Sequence, residues 1–432
     1  MVLGAKQTRP RLLVVRGSFA TLGGAERDLL QLVRTAHERW DVTIATLTWT
    51  PEAEALLAPA SPTVHRPAQP MVWPEGGWAE VSAKGSREAA KGWASLDLPW
   101  TEFDAVHLTV GRGTLEILPL IPHHLPVLYS CHEPPRWLYE DVLHRHPDGR
   151  PKRPLWLTNL VFRRQRRLDQ RLVKALLNRP NSTVFGNSPW SQRLLERTYG
   201  LRSPTGTANG EVPKRDAQGR QAEATHVLPT VDLSNWPADA SAEEATLDAR
   251  LLPERPYVIT VGAVSYVKGT WDTLRSLAGT PYALVQAGGG TDEAKRALVA
   301  EGERLGVEVR CLPRLSQAHL VSAVRSAHAV VSHAREEPFG LTPLEAMAVG
   351  VPPLMVDEGG FHFTMQAAGA GRLVDRRDAE GWRAAYTAAS DADLRRQWAE
   401  AGRHHVATNY PPEAQIEAVE RLLHNLLQPQ SS

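Results

Sequence analysis

The stretch from His328 to Asp357, HAVVSHAREEPFGLTPLEAMAVGVPPLMVD, carries the pattern on which the fold turns. A strand-like run at 328–334 leads through a polar loop into a helical pattern, and a second such run follows at 351–357. Two strands joined by a helix pair in parallel, because a short hairpin cannot return the chain to the same end of a sheet. Two acidic residues interrupt this economy: Glu337 lies just past the first strand and Glu345 lies within the helix.

The same alternation extends in both directions. Strand-like runs occur at 11–17, 41–47, 104–110, 125–131 and 182–188, then again at 257–264, 282–289 and 307–313. Amphipathic helical patterns separate many of them, which predicts parallel sheets covered on both faces. Two such series imply an α/β chain of two doubly wound, Rossmann-like domains, with ligands at the carboxyl ends of the strands. The division is expected at 1–240 and 241–408, within the Pro-, Ala- and acid-rich stretch 228–256. The polar, aperiodic segment 203–224 reads as a mobile loop. A final helix is expected over 411–427, with an apolar stripe through Ile416, Val419, Leu422, Leu423 and Leu426.

Composition narrows the function. The 432 residues are 42% hydrophobic and 22% charged, with a formal net charge of +1, which argues against nucleic acid as a partner. Cys131 and Cys311 are the only cysteines and have no metal-ligand spacing, so neither a disulfide framework nor a zinc site is expected. No apolar run is long enough to span a bilayer and no leader pattern opens the sequence, which predicts a cytoplasmic enzyme.

The two acids have different local readings. Thr342-Pro343-Leu344-Glu345 fits a capping box, with Thr342 at the N-cap and Glu345 reaching back. Glu337 precedes the helix, where no cap explains it. Gly340 and the first helical amides suit a diphosphate, favoured by the helix dipole. Two carboxylates flanking such a site suit hydroxyl groups on either side of it, which is the layout of a nucleotide-sugar.

At these residues the chain resembles the family 4 retaining glycosyltransferases of the GT-B fold, whose two domains face a central cleft. The resemblance rests on E-P-F-G-L-x-P-x-E-A-M-A-x-G-x-P from Glu337 to Pro352, Gly23-Gly24 in LGGAERDLL, His132 in LYSCHEPPR, Lys268-Gly269 in VGAVSYVKG and Gly359-Gly360 in DEGGF. It implies transfer of a sugar from a nucleoside-diphosphate-sugar to an acceptor hydroxyl with retention of configuration, on a carbohydrate, lipid-linked or small-molecule acceptor. Catalytic roles would fall to Glu337, beside the transferred sugar, and to His132, which would orient it. Donor binding would fall to Gly23, Gly24, Lys268, Phe339, Gly340, Leu341, Glu345, Gly359 and Gly360, with Lys268 on the diphosphate and Glu345 on the ribose. Neither a metal nor a further cofactor is implied. The helix 411–427 would return to the first domain.

Two positions depart from the family pattern. Ala263 stands where an arginine usually partners the lysine, and Phe363 lies near the place of a usual glutamate. Either Arg335 or Arg16 substitutes, or the donor is held differently, or activity is reduced. The rivals to a transferase are a nucleotide-sugar epimerase or phosphorylase, and a nucleotide-sugar-binding protein with little or no catalysis.

The remaining candidates have simpler readings beside functional ones. Glu26 complements a helix dipole, and Asn187-Ser188 cap a helix or line a cleft. Cys131 reads as a small buried residue. The basic run 163–174 forms a solvated helix face or a contact with an anionic membrane surface. Trp73, Trp78, Trp93 and Trp100 either pack a long loop onto its domain or stack on an acceptor sugar.

Overall fold

In the computed structural model, residues 9–74, 84–203, 206, 208–239 and 247–427 are described; Trp78 lies outside them. The chain divides into two compact units: 1–139 with 159–229 and 412–432, and 140–158 with 230–411. Each is built on one parallel sheet.

The first sheet holds β1 (Arg11–Arg16), β2 (Asp41–Thr46), β3 (Thr63–His65), β4 (Ala105–Thr109), β5 (Val127–Ser130), β6 (Ser182–Gly186) and β7 (Thr225–His226). Their order is β3-β2-β1-β4-β5-β6-β7, with Val14 opposite Ile44 on one side and His107 on the other. Side chains alternate across the sheet. Leu12 and Val14 therefore enter one core layer with Leu29, Leu30 and Val33 of the helix Gly24–Ala36. Leu13 and Val15 enter the other, with Trp93, Val173 and Leu195.

The helix Pro412–Leu427 closes the first of these layers. Ile416, Val419, Leu422, Leu423 and Leu426 are all buried there, each contributing about 1.5–3 kcal/mol by leaving water.

The second sheet holds β8 (Tyr257–Val261), β9 (Ala283–Ala287), β10 (Val309–Cys311), β11 (Ala329–Ser332), β12 (Pro353–Val356) and β13 (Arg372–Val374), ordered β10-β9-β8-β11-β12-β13. Every pairing in both sheets is parallel. In each, the strand order reverses beside the first strand: between β1 and β4, and between β8 and β11. Chain segments leaving those strand ends splay apart and open a crevice.

The segment 203–224 departs from expectation. Among its described residues, buried Gln221 pairs with the edge of β6, accepting from the Val184 amide at 2.6 Å and donating to the Val184 carbonyl at 2.8 Å. Arg215 adds a hydrogen bond to the Ser182 carbonyl at 2.8 Å. Side chains thus satisfy backbone groups that a longer edge strand would have paired, and Arg215 and Gln221 anchor their part of the segment to the sheet.

The tryptophans divide similarly. Trp93 is fully buried and donates to the Gly113 carbonyl at 2.6 Å, while Trp73 and Trp100 pack against the same core. Packing accounts for these three.

Candidate functional site

In the second unit, Lys268 follows β8 and Glu337 follows β11, the two strands at the reversal point. Lys268 Nζ lies 2.8 Å from Glu337 Oε2, with both side chains partly open to solvent. The sharp turn at Gly269 (φ 63°) makes this approach possible. A Cβ there would lie 1.9 Å from the His333 carbonyl oxygen, so only glycine fits.

The loop carrying Glu337 is clamped from one side. The Gly360 amide donates to the Glu337 carbonyl at 2.6 Å. A Cβ on Gly359 would sit 2.6 Å from that same carbonyl oxygen, and one on Gly360 would sit 2.5 Å from Phe339. The Gly-Gly pair is therefore a close backbone seam against residues 336–339. The neighbouring Glu336 has φ 45°, the single positive φ outside glycine among the described residues. Phe339 is buried, with its ring near Phe363 and Tyr410.

The following helix, Leu341–Ala348, has Gly340 as its N-cap at φ 92°. This corrects the capping-box reading: Thr342 already lies inside the first turn, and the N-cap position the box requires is held by Gly340, which has no side chain. The left-handed glycine turns the chain into the helix one residue-pair earlier than Thr342 could. The amides of the first turn lack intrahelical partners by their position, which suits them to an anion. Glu345 is half-buried and has interactions of its own.

Both cations proposed to replace an arginine at Ala263 have partners of their own. Arg335 lies over the Tyr266 ring at 3.7 Å, donates to the Tyr266 carbonyl at 2.7 Å and pairs with Asp272 at 2.5 Å. Arg16, in the first unit, pairs with Glu26 and donates to the Val110 carbonyl at 2.6 Å. Ala263 itself is exposed.

Sequence reasoning missed the group behind this loop. Arg376 forks onto Glu358 at 2.8 and 2.7 Å, contacts Asp272 at 3.1 Å and donates to the His333 carbonyl at 2.8 Å. Together with Arg335 it fixes the end of β11 from which Glu337 departs. His333 is buried, stacked on Trp382 at 3.9 Å and bonded to the Thr273 hydroxyl at 3.0 Å; burial, then Arg376 and Arg335, hold its imidazole far below the usual range.

In the first unit, Gly23 and Gly24 are exposed at the start of the helix Gly24–Ala36, and the Gly23 amide donates to Glu26 at 2.9 Å. Glu26 thus caps its own helix and neutralises Arg16. His132 stands directly beyond β5, partly open, and is pushed down to about 3 by burial, then by Arg16 and His107. It is a neutral imidazole at physiological pH. Cys131 is fully buried, and burial pushes its thiol up. Ser188 caps the helix Pro189–Tyr199, accepting from the Ser191 amide at 3.0 Å.

The basic run lies on the helix Leu155–Leu177. Arg163, Arg164, Arg167, Arg171 and Lys174 are exposed, as is Leu160, on the side opposite buried Phe162, Val173 and Leu176. Among the described residues no helix is long and apolar enough to cross a membrane, and no group of three His, Cys, Asp or Glu side chains could hold a metal.

Residues 244–405 match the family model described as glycosyl transferases group 1, and this segment contains the Lys268–Glu337 pair. A D-inositol 3-phosphate glycosyltransferase of Mycobacterium sp. (strain KMS) is 34% identical over 163 residues, 36% of this chain and 37% of that protein. One from Xylanimonas cellulosilytica is 32% identical over 176 residues, 38% and 42% of the two chains. The chain therefore spans well under half the length of these curated relatives. Among solved structures, sucrose-phosphate synthase from Thermosynechococcus elongatus aligns with a TM-score of 0.67 at 19% identity, over 97% of this chain and 99% of that one. Anabaena Alr3699/HepE in complex with UDP and glucose aligns at 0.63 and 15% identity, over 96% and 100%. The fold is GT-B: two Rossmann-like units, each on a parallel sheet.

Proposed function

We propose that this protein is a glycosyltransferase that moves a sugar from a nucleoside-diphosphate-sugar to an acceptor hydroxyl with retention of configuration. The observation that carries the reading is the Lys268–Glu337 pair, set at the reversal point of the second sheet beside the start of the helix Leu341–Ala348. In the reaction the bond from the anomeric carbon to the diphosphate breaks, the diphosphate leaves with the electron pair, and the acceptor oxygen bonds to that carbon as its proton passes to the departing diphosphate oxygen. Lys268 and the first-turn amides stabilise the leaving charge. Glu337 accepts hydroxyl groups of the transferred sugar, Glu345 accepts those of the ribose, and His132 orients the sugar as a neutral imidazole. Gly23-Gly24 and Gly359-Gly360 admit close backbone approach.

The test is incubation with a panel of nucleotide-sugars, reading slow donor hydrolysis and transfer to simple sugar and inositol acceptors. Loss of turnover in Glu337→Ala is expected; turnover that survives in this variant would sink the assignment. The match to residues 244–405 and the relatives' printed activity support the choice of glycosyl transfer as the reaction class.

A second reading has its own observation. With Ala263 in place of a cation and Arg335 committed to Asp272 and Tyr266, the diphosphate clamp is one charge short, which favours a nucleotide-sugar-binding protein of reduced activity. Calorimetric binding of a nucleoside diphosphate without turnover on any acceptor would select it.

A membrane-surface role for residues 163–174 is a further part of the proposal. Five exposed cations with exposed Leu160 on one side of a helix match an anionic leaflet in charge.

A further inference from the structure

His132 lines a partly open cavity of about 20 Å³ in the first unit. Its polar wall is made by Asp28, His107, Thr109, Ser130, His132 and Gln415; apolar side chains from both covering helices and β6 close the rest. Gln415 Nε2 donates to both carboxylate oxygens of Asp28 at 3.1 Å, so the helix Pro412–Leu427 locks one side.

His107 is the unusual member. It sits in the middle of β4, is 2% exposed, and neither ring nitrogen has a hydrogen-bond partner among the described residues. Its one ring neighbour, Phe185 at 5.9 Å, offers no acceptor. A buried neutral imidazole presents one N–H and one lone pair, and leaving either unmet costs about 1–3 kcal/mol. The cavity has room for one water, which needs two to four polar partners, and this wall supplies them.

We propose that His107 is a positioning residue for His132, acting through a single water held in this cavity. The water accepts the N–H of His107 and donates to the cavity-facing nitrogen of His132, which leaves the His132 proton on its other nitrogen, towards the open side of the unit. The two residues line the same cavity, one from β4 and the other just beyond β5. This inference rests on the transferase reading for its purpose, because a sugar-orienting imidazole must present one defined tautomer. The arrangement itself can be measured without turnover.

The test uses the full chain labelled with ¹⁵N-histidine. Long-range ¹H–¹⁵N correlation, assigned by loss of a signal in His132→Gln, reads the His132 tautomer. One neutral tautomer is expected in the unaltered protein and in His107→Gln, which keeps a polar contact to the water. A mixture is expected in His107→Phe. An unchanged His132 ring in His107→Phe would overturn the proposal, as would a high-resolution crystal structure with no water within hydrogen-bond distance of His107. Should His107→Phe not fold, Ser130→Val fills the cavity from the adjacent strand and carries the same expectation. Where turnover is found, His107→Phe should lower kcat roughly ten- to a hundredfold, the range of outer-layer hydrogen-bond partners, with little change in donor KM. Absence of turnover in the unaltered protein would count against the transferase reading and leave the tautomer result to decide this one.

Discussion

Lys268 and Glu337 are 69 residues apart in sequence and bonded at 2.8 Å, so the cation suited to a diphosphate is held by the acid suited to a sugar. A partly exposed pair of this kind contributes about 0–1 kcal/mol, which a bound phosphate readily displaces. Under the proposed function, binding of the donor and release of Glu337 would be one event.

That relationship gives opposite signs for two variants. Lys268→Ala should weaken binding of a nucleoside diphosphate roughly ten- to a hundredfold, the loss of one charge-assisted contact. Glu337→Ala should leave that binding equal or tighter, since it frees the lysine, while transfer falls. Calorimetry on both variants with the same nucleoside diphosphate checks the pair; weaker binding in Glu337→Ala would contradict the arrangement.

Adding the missing charge is the complementary experiment. Ala263 is exposed, so an arginine fits there without repacking. Ala263→Arg is expected to tighten nucleoside diphosphate binding roughly tenfold, one new charge-assisted contact. An unchanged affinity would show that the diphosphate does not approach this loop.

Gly340→Ala tests the helix start. The new Cβ would meet the Phe361 ring at 2.5 Å on a backbone at φ 92°, so a loss of about 1–3 kcal/mol is expected from urea unfolding. Nucleoside diphosphate binding should fall with it, because the first-turn amides would shift.

The buried imidazole of the first sheet makes stability depend on pH. Burial pushes His107 down to about 4 from an ordinary value of 6.5. Below 6.5 the unfolded chain takes up a proton that the folded chain refuses, so this contribution is complete above 6.5 and is lost as pH falls towards 4. His107→Gln should shrink the stability difference between about pH 7 and about pH 4.5 by about 2–3 kcal/mol, read from urea midpoints.

On the basic helix, replacing Arg163, Arg164, Arg167 and Arg171 by serine should change stability by about 0.5 kcal/mol or less per site. Binding to vesicles containing anionic lipid should be lost, and in the unaltered protein it should weaken with salt. Equal vesicle binding by both proteins would remove the membrane contact from the proposal.

The sequence disclosed the sheets where it offered apolar runs centred on paired valines, as in β1 and β11. It was silent at Thr63–His65, Thr225–His226 and Arg372–Val374, because two or three residues cannot display a period. Local grammar misled at Thr342: a capping box requires that the helix begin there, and only the backbone of Gly340 reveals that it begins earlier. The glycine pair at 359–360 was legible as glycine-rich, but its seam against residues 336–339 depends on two loops meeting. The Arg335–Asp272–Arg376 contacts had no signature at all, since Asp272 lies 63 and 104 residues from its partners. Charge that supports a site from behind leaves no spacing to read.

The return of the chain to the first unit has a consequence in time. Residues 412–427 fill a core otherwise composed of segments made before residue 230, and the whole of 230–411 is synthesised in between. At about 5–20 residues per second, the ribosome leaves that hydrophobic face uncovered for roughly 10–40 s. The second unit, nearly continuous in sequence, can complete its own sheet during that interval. The unit begun first is thus the one finished last, and a nascent chain interrupted before its final helix would present Leu128 and Phe185 without the cover they need.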